Sequence, residues 1–187
     1  ASEISASDSL RTLFESLSAE QRNDQELLTS LVFSLRSFTN LSRFLELVPV
    51  VSSRLVGVEG SLLVPFHPDG RIWREQIQIT NLERFQELLR QLASFKAGLK
   101  IGFGSDEKQL LAMDGLVQRH ISKAGIFSTS LVARGRHRGR LYVFNKTDQL
   151  FLSDVHRRHV QLVADLTAVA IENDLISQEV RRHESVD

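Results

Sequence analysis

The sequence predicts an α+β domain in which helices cover both faces of one antiparallel sheet of five or six strands. Strand-like segments come in pairs joined by short turns, which is typical of hairpins. The strand Arg140–Lys146 is apolar on both sides, so it needs cover on both sides. Long N- and C-terminal helices complete the fold, because residues 24–38 and 153–180 carry apolar side chains at helical spacing.

The composition fits one globular domain and excludes several function classes. Of the 187 residues, 42% are hydrophobic and 25% charged, the usual proportions of a globular protein. The 23 Lys and Arg balance the 23 Asp and Glu, which argues against a nucleic-acid partner drawn by overall charge. No cysteine is present, so disulfides and thiol chemistry are excluded. No apolar run approaches the roughly 20 residues that span a bilayer, so we expect a cytoplasmic protein without a membrane partner.

We divide the chain into three parts. Residues 1–23 are rich in Ser and Glu and predict a loosely ordered segment with one short helix. Residues 24–173 form the domain. Residues 174–187 extend the last helix as a dimerisation or output helix. No Gly or Pro stop follows, so we expect a module taken from a longer chain.

The first half of the domain begins with helices. The apolar seam of residues 24–38 predicts one helix, and Asn40 or Ser42 caps a second that runs to Leu55 with a break or kink at Pro49. Two strands follow, Ser61–Phe66 and Arg71–Ile79. The Pro and Gly of residues 67–70 predict the turn between them.

The second half alternates helices and strands. Asn81 is predicted to cap a helix over Leu82–Ala93, and a short strand Leu99–Phe103 precedes a helix Glu107–His120. The hairpin Ile126–Arg134 and Arg140–Lys146 comes next, with the turn between Gly135 and Gly139. Ser153 then caps the long C-terminal helix.

A strand pair that ends in Gly139–Lys146 is followed by Phe151, Asp154 and a helix that contains Leu166–Asn173. This pattern, over residues 126–173, resembles the C-terminal half of a GAF domain. In that family an Asn-Lys pair, a Phe and an Asp-Glu pair recur. Asn145, Lys146 and Asp154 match this signature, whereas Phe151 stands one residue closer to the Asp and Val155 takes the place of the Glu. The resemblance implies a non-catalytic GAF- or PAS-like sensory module of bacterial signalling proteins.

The resemblance also implies where a small molecule would bind, between the sheet and the middle segment. Aromatic and polar side chains that fall there are the candidates for a ligand pocket, although the same residues suit a plain core equally well. They are Trp73, Phe103, Ser105, Asp106, His120, Phe127, Thr129 and Phe144. The absence of cysteine removes the thioether anchor of bilin-binding GAF photoreceptors, and no cofactor is identified.

The last helix carries a heptad pattern that predicts a homodimer. His159, Leu166, Asn173 and Val180 occupy a positions, and Asn at an a position favours a two-stranded parallel register. The alternative is that these side chains serve only the core of their own domain. The predicted interface joins the two terminal helices through Leu28, Leu31, Leu35, Leu162, Leu166, Val169, Asn173, Ile176 and Val180.

Other polar clusters give weaker signals. The turn residues Arg134, Arg136, Arg138 and Arg140 are interpreted as a solvated turn rather than a phosphate or RNA site. His156 and His159 lack a third ligand, so no metal site is predicted. No phosphate loop or nucleophile elbow occurs.

Together these patterns predict a non-enzymatic regulatory module that dimerises and acts on a downstream effector, such as a kinase, cyclase or phosphatase. A small-molecule ligand is compatible with this prediction. The alternative is a purely structural dimerisation or docking domain with no ligand.

Overall fold

The computed structural model describes residues 40–95, 107–121, 125–145, 150 and 152–186, together with Glu26, Thr29 and Phe33, which are helical. The four main helices are α1 (Leu41–Val56), α2 (Gln86–Ala93), α3 (Glu107–His120) and α4 (Asp154–Val186). The four strands are β1 (Gly60–Pro65), β2 (Gln78–Ile79), β3 (Ile126–Ala133) and β4 (Arg136–Phe144).

The strands form one antiparallel sheet in the order β2-β1-β4-β3. Tyr142 of β4 lies opposite Leu62 on one side and Ser128 on the other, so β4 is an interior strand. The prediction of five or six strands was too high for the described residues, and the predicted strand Leu99–Phe103 lies outside them.

The predicted strand Arg71–Ile79 was also wrong over most of its length. An isolated bridge joins Phe66 to Ile72, a 3-10 turn follows at Arg74–Gln76, and only β2 pairs with β1. The amide of Gln76 donates to the carbonyl of Trp73, 3.1 Å away. The local bonds of the 3-10 turn satisfy the backbone there in place of strand pairing, while Ile72, Ile77 and Ile79 pack against the core.

Helices cover both faces of the sheet, as predicted. On one face, Leu63 of β1 and Leu141 and Val143 of β4 pack among residues of α1 and α4 such as Phe44 and Val163. On the other, a second core cluster joins β1 and β4 to the residues around α2 and α3. Its buried members are Leu62, Val64, Phe66, Phe85, Leu88, Leu92, Met113, Leu116, Val117, Ile121, Tyr142 and Phe144.

Two of the predicted helix signals are confirmed and two are wrong. Asn40 caps α1, its Oδ1 accepting from the Ser42 amide at 2.8 Å, and the Ser153 hydroxyl accepts from the His156 amide at 3.1 Å. The predicted cap at Asn81 is wrong, because Asn81 takes a left-handed conformation with φ of 57° and its side chain makes no cap hydrogen bond. The predicted break at Pro49 is also wrong. Pro49 is buried together with Val48 and Val51, and α1 runs unbroken from Leu41 to Val56.

The hairpin turns more tightly than predicted. Arg134 and Gly135 alone form the turn, with φ of 54° and 74°, so β4 begins at Arg136 rather than Arg140. Leu131 lies opposite Gly139 and Val132 opposite His137. One residue of β4, Arg138, is therefore extra and forms a β-bulge.

Replacing Gly139 by alanine should destabilise the fold by more than about 2 kcal/mol. Its φ is 154°, and an added Cβ would lie 2.6 Å from the Val64 carbonyl oxygen, which is backbone and cannot rotate away. Chemical denaturation measures the change. Gly115→Ala in α3 is the control, because its Cβ meets nothing within 4 Å and should raise stability by about 0.5–1 kcal/mol. Equal effects of the two variants would contradict this account of Gly139.

Candidate functional site

A polar cluster lies between the sheet and α3. We call it the Asp114 cluster; its members are Asp114, Arg140, Tyr142, Ser128 and Ser130. The Arg140 guanidinium donates to both carboxylate oxygens of Asp114, at 3.0 and 2.8 Å, and to the hydroxyls of Ser130 and Ser128, at 2.8 and 3.0 Å. The Tyr142 hydroxyl donates to Asp114 at 2.5 Å. The cluster thus anchors α3 to β4 and β3.

The electrostatics of the cluster are balanced internally. Burial raises the pKa of Tyr142 well above 10, and the nearby negative charge of Asp114 raises it further. Burial opposes the charge of Arg140, but its hydrogen bonds and ion pair with Asp114 raise the pKa of the guanidinium above its ordinary value. Each charge therefore already has a partner within the cluster.

The residues predicted to line one ligand pocket divide between the two faces of the sheet. Phe144 meets Phe85 edge-on, with ring centroids 5.4 Å apart, and His120 Nε2 lies 3.0 Å from Gln91 Oε1, which links α3 to α2. On the opposite face, Phe127 packs against the cluster that contains α1 and α4.

Two further candidates lie on the same face as Phe127. The Thr129 hydroxyl donates to Gln161 Oε1 of α4 at 2.5 Å, and Trp73 packs against the core shared by α1 and α4. The remaining candidates, Phe103, Ser105 and Asp106, lie outside the described residues. The described candidates therefore do not converge on one pocket.

A second buried ion pair joins Arg138 to Glu172 of α4. The two side chains are only 5% and 13% exposed. Simple alternation along β4 would place Arg138 on the same face as Arg140, toward α3. The bulge at Arg138 redirects its side chain to the opposite face, toward α4. The interpretation of the arginine-rich hairpin as a solvated turn was therefore wrong for Arg138 and Arg140. Gly139, a glycine inside a strand pattern, was the available signal for a bulge.

Next to this ion pair lies an open cleft of about 690 Å³. It is bounded by the turn after β1, the start of β4 and the distal half of α4. Aromatic, apolar and charged side chains line it: His67, Pro68, Trp73, Arg136, Arg138, Glu172, Leu175, Ile176, Gln178, Glu179 and Arg182. Sequence reasoning missed the cleft, although it named Trp73 as a ligand candidate.

The predicted dimer residues of α4 differ in exposure. Leu166 is 1% exposed and belongs to the core of its own domain, so it offers no surface to a partner. Leu162, Val169 and Asn173 are partly exposed. Ile176 and Val180 are 42% and 51% exposed. Leu28, Leu31 and Leu35 lie outside the described residues.

The sheet order, the helices on its two faces and the long last helix define a GAF-like α+β fold. A GAF domain of a putative sensor histidine kinase from Pseudomonas syringae pv. tomato matches with a TM-score of 0.52 and 18% identity, covering 87% of this chain and 95% of that one. The chromophore-binding domain of bacteriophytochrome RpBphP3 from R. palustris matches with a TM-score of 0.54 and 13% identity, covering 87% of this chain.

These comparisons confirm the resemblance to GAF domains at the level of the fold. The chain spans 64% of that chromophore-binding domain and 40% of a longer structure of the same bacteriophytochrome, which it matches with a TM-score of 0.53 and 14% identity. No family model matches the sequence, and no curated protein does. None of the described helices has the length and apolarity to cross a membrane, and no three metal-ligating side chains converge among the described residues.

Tyr142 is the only tyrosine of the chain, so its ionisation can be followed directly by ultraviolet absorbance. At a pH of about 10, where an ordinary tyrosine is half ionised, the native chain should show almost no tyrosinate. Because the native pKa of Tyr142 is raised, its contribution to stability is constant below pH 10 and falls at higher pH, where the unfolded chain loses this proton first. The denatured chain is the control. Half-ionisation of the native chain near pH 10 would contradict the buried position of Tyr142.

Glu172→Ala should lower the free energy of unfolding by about 3–5 kcal/mol, because it leaves the Arg138 charge buried without its partner. Thermal and chemical denaturation measure the effect. Glu179→Ala is the matched control on the same helix, since its contact with His183 is exposed and should contribute less than about 1 kcal/mol. An equal loss of unfolding free energy in both variants would show that the buried pair of Arg138 and Glu172 contributes no more to stability than an exposed one.

Proposed function

We propose that this chain is a non-catalytic regulatory module of a signalling protein. In this proposal it dimerises through its terminal helices and passes a change within the domain to a downstream effector, of the kinase, cyclase or phosphatase kind. The setting is the cytoplasm. The GAF-like fold, found also in the putative sensor histidine kinase, supports the proposal.

The observation that carries the proposal is the form of α4. It is a single helix of 33 residues. Val160, Val163 and Ile171 in its first half are fully buried against the sheet, whereas every described position from residue 176 to 184 is exposed. An α-helix rises about 1.5 Å per residue. A helix that is held by the core in its first half and exposed in its second half can therefore carry a small displacement of the domain to a point far from the sheet.

The exposed side of α4 suits contact with a second copy. Leu162, Val169, Asn173, Ile176 and Val180 recur at steps of seven, four, three and four, so they form one stripe. On a helical projection this stripe lies opposite the buried Val160 and Ile171. Leu166 falls inside the stripe but is buried in the core, and Leu162 packs against that core, so the stripe is open to a partner from Val169 onward. An apolar stripe on an exposed helix is stabilised when a partner helix covers it.

A second candidate function is a structural dimerisation or docking domain without a ligand. The Asp114 cluster favours it, because the polar groups between the sheet and α3 already satisfy one another. The regulatory module and the structural dimerisation domain both form a dimer. They differ in whether a small molecule controls it.

Val180→Lys should weaken the proposed dimer by roughly tenfold to a hundredfold, since it replaces about 1.5–3 kcal/mol of apolar burial with a charge that must stay hydrated. Sedimentation equilibrium over a range of chain concentrations measures the dissociation constant. Gln178→Lys is the matched control, because Gln178 is exposed on the other side of the same helical turn and adds the same charge.

A wild-type chain that remains monomeric at all concentrations would overturn the dimer. Equal weakening by the two lysine variants would show that the stripe is not the contact. Asn173→Leu tests the register separately, and we expect it to change the oligomeric state or the alignment of the helices.

A further inference from the structure

The cleft beside the Arg138–Glu172 pair has the size of a small-molecule site. Its volume of about 690 Å³ lies within the range of roughly 300–1,000 Å³ that is usual for ligand pockets. It lies on the face of the sheet that α4 covers, so it is separate from the Asp114 cluster under α3.

One wall of the cleft offers an aromatic surface. The backbone fixes Trp73, whose amide donates to the Pro65 carbonyl at 2.8 Å. The His67 ring lies beside it, with ring centroids 5.3 Å apart and planes tilted by 32°. Leu175 and Ile176 of α4 line the same cleft. A planar aromatic ring could stack on this surface and displace water from it.

The edge of the cleft offers a cation. Arg138 is engaged by Glu172. Arg136, two residues earlier on β4, lines the cleft, is exposed, and forms no ion pair with another described residue. A guanidinium donates two parallel hydrogen bonds to a carboxylate, which sets the orientation of a bound molecule. Glu179, which also lines the cleft, lies two turns of α4 beyond Glu172 and contacts His183.

We propose that this cleft binds a small planar aromatic carboxylate, with its ring on Trp73 and its carboxylate on Arg136. Such a ligand would touch Glu172 and Ile176, where α4 leaves the core of the domain. The site would be the input of the proposed regulatory module. The biological role of this site rests on the proposed function, but the binding of a ligand there does not.

The test uses 1-naphthoate as the probe and the whole chain. Trp73 is the only tryptophan, so its indole N–H gives one peak in a ¹H–¹⁵N correlation spectrum. We expect this peak to shift and saturate on titration with 1-naphthoate, and to shift much less with the neutral 1-naphthalenemethanol. Arg136→Gln should weaken binding at least about tenfold, as the loss of a charge-assisted contact implies.

Arg134→Gln is the matched control, because Arg134 is exposed on the same turn but does not line the cleft. Arg134→Gln should change the dissociation constant for 1-naphthoate by less than about twofold. The absence of a saturable shift, equal binding of the neutral analogue, or equal effects of the two arginine variants would each overturn the proposal. An indole shift that depends on chain concentration and not on the probe would also overturn it, because a second copy would then cover the cleft.

The same titration in the Val180→Lys variant separates this inference from the proposed dimer. Val180 does not line the cleft. A site built within one chain should bind 1-naphthoate with unchanged affinity in that variant, and loss of binding there would overturn a site of this kind. A wild-type chain that dimerises without binding the probe would refute only the ligand site, and a monomer that binds it would refute only the dimer.

Discussion

The fold depends on the need to keep both sides of strand β4 away from water. Leu141 and Val143 point to one face of the sheet, and Tyr142 and Phe144 to the other, and all four are almost completely buried. A strand of this kind is stable only in the interior of a sheet with a helical layer on each face. The positions of β1, β3 and the helices follow from that single requirement.

The same requirement explains the two buried ion pairs. Beyond the exposed start of the strand at Arg136, a polar side chain on β4 lies in an apolar layer, where it must meet a partner or destabilise the fold. Arg140 meets Asp114 of α3, and the bulge turns Arg138 to Glu172 of α4. One strand is thus linked by charge to a helix on each face. The pairs specify where those helices lie on the sheet, although their net contribution to stability is small beside that of the apolar core.

Features of the fold that depend on local signals could be predicted from the sequence, whereas those set by tertiary contacts could not. The bounds of α3 and the caps Asn40 and Ser153 follow from short-range chemistry and were predicted correctly. The continuity of α1 through Pro49 depends on burial by distant residues, which no local signal records.

The position of the candidate site required the strand register. Phe127 lies opposite Val143 while Phe144 lies opposite Ile126, so the two phenylalanines belong to opposite faces. The cleft was even harder to predict from the sequence, because a one-residue bulge turns the side chain of Arg138 to the opposite face of the sheet.

Glu172 occupies the boundary between the two halves of α4. The buried Ile171 precedes it, and the exposed Ile176 follows one turn later. The hairpin therefore holds the helix by charge next to Ile171, its last fully buried residue. Because α4 is continuous, this ion pair lies partway along a helix that runs on to Val186. Arg138 thus links the hairpin to α4, whereas Arg134 and Arg136 are exposed at the turn.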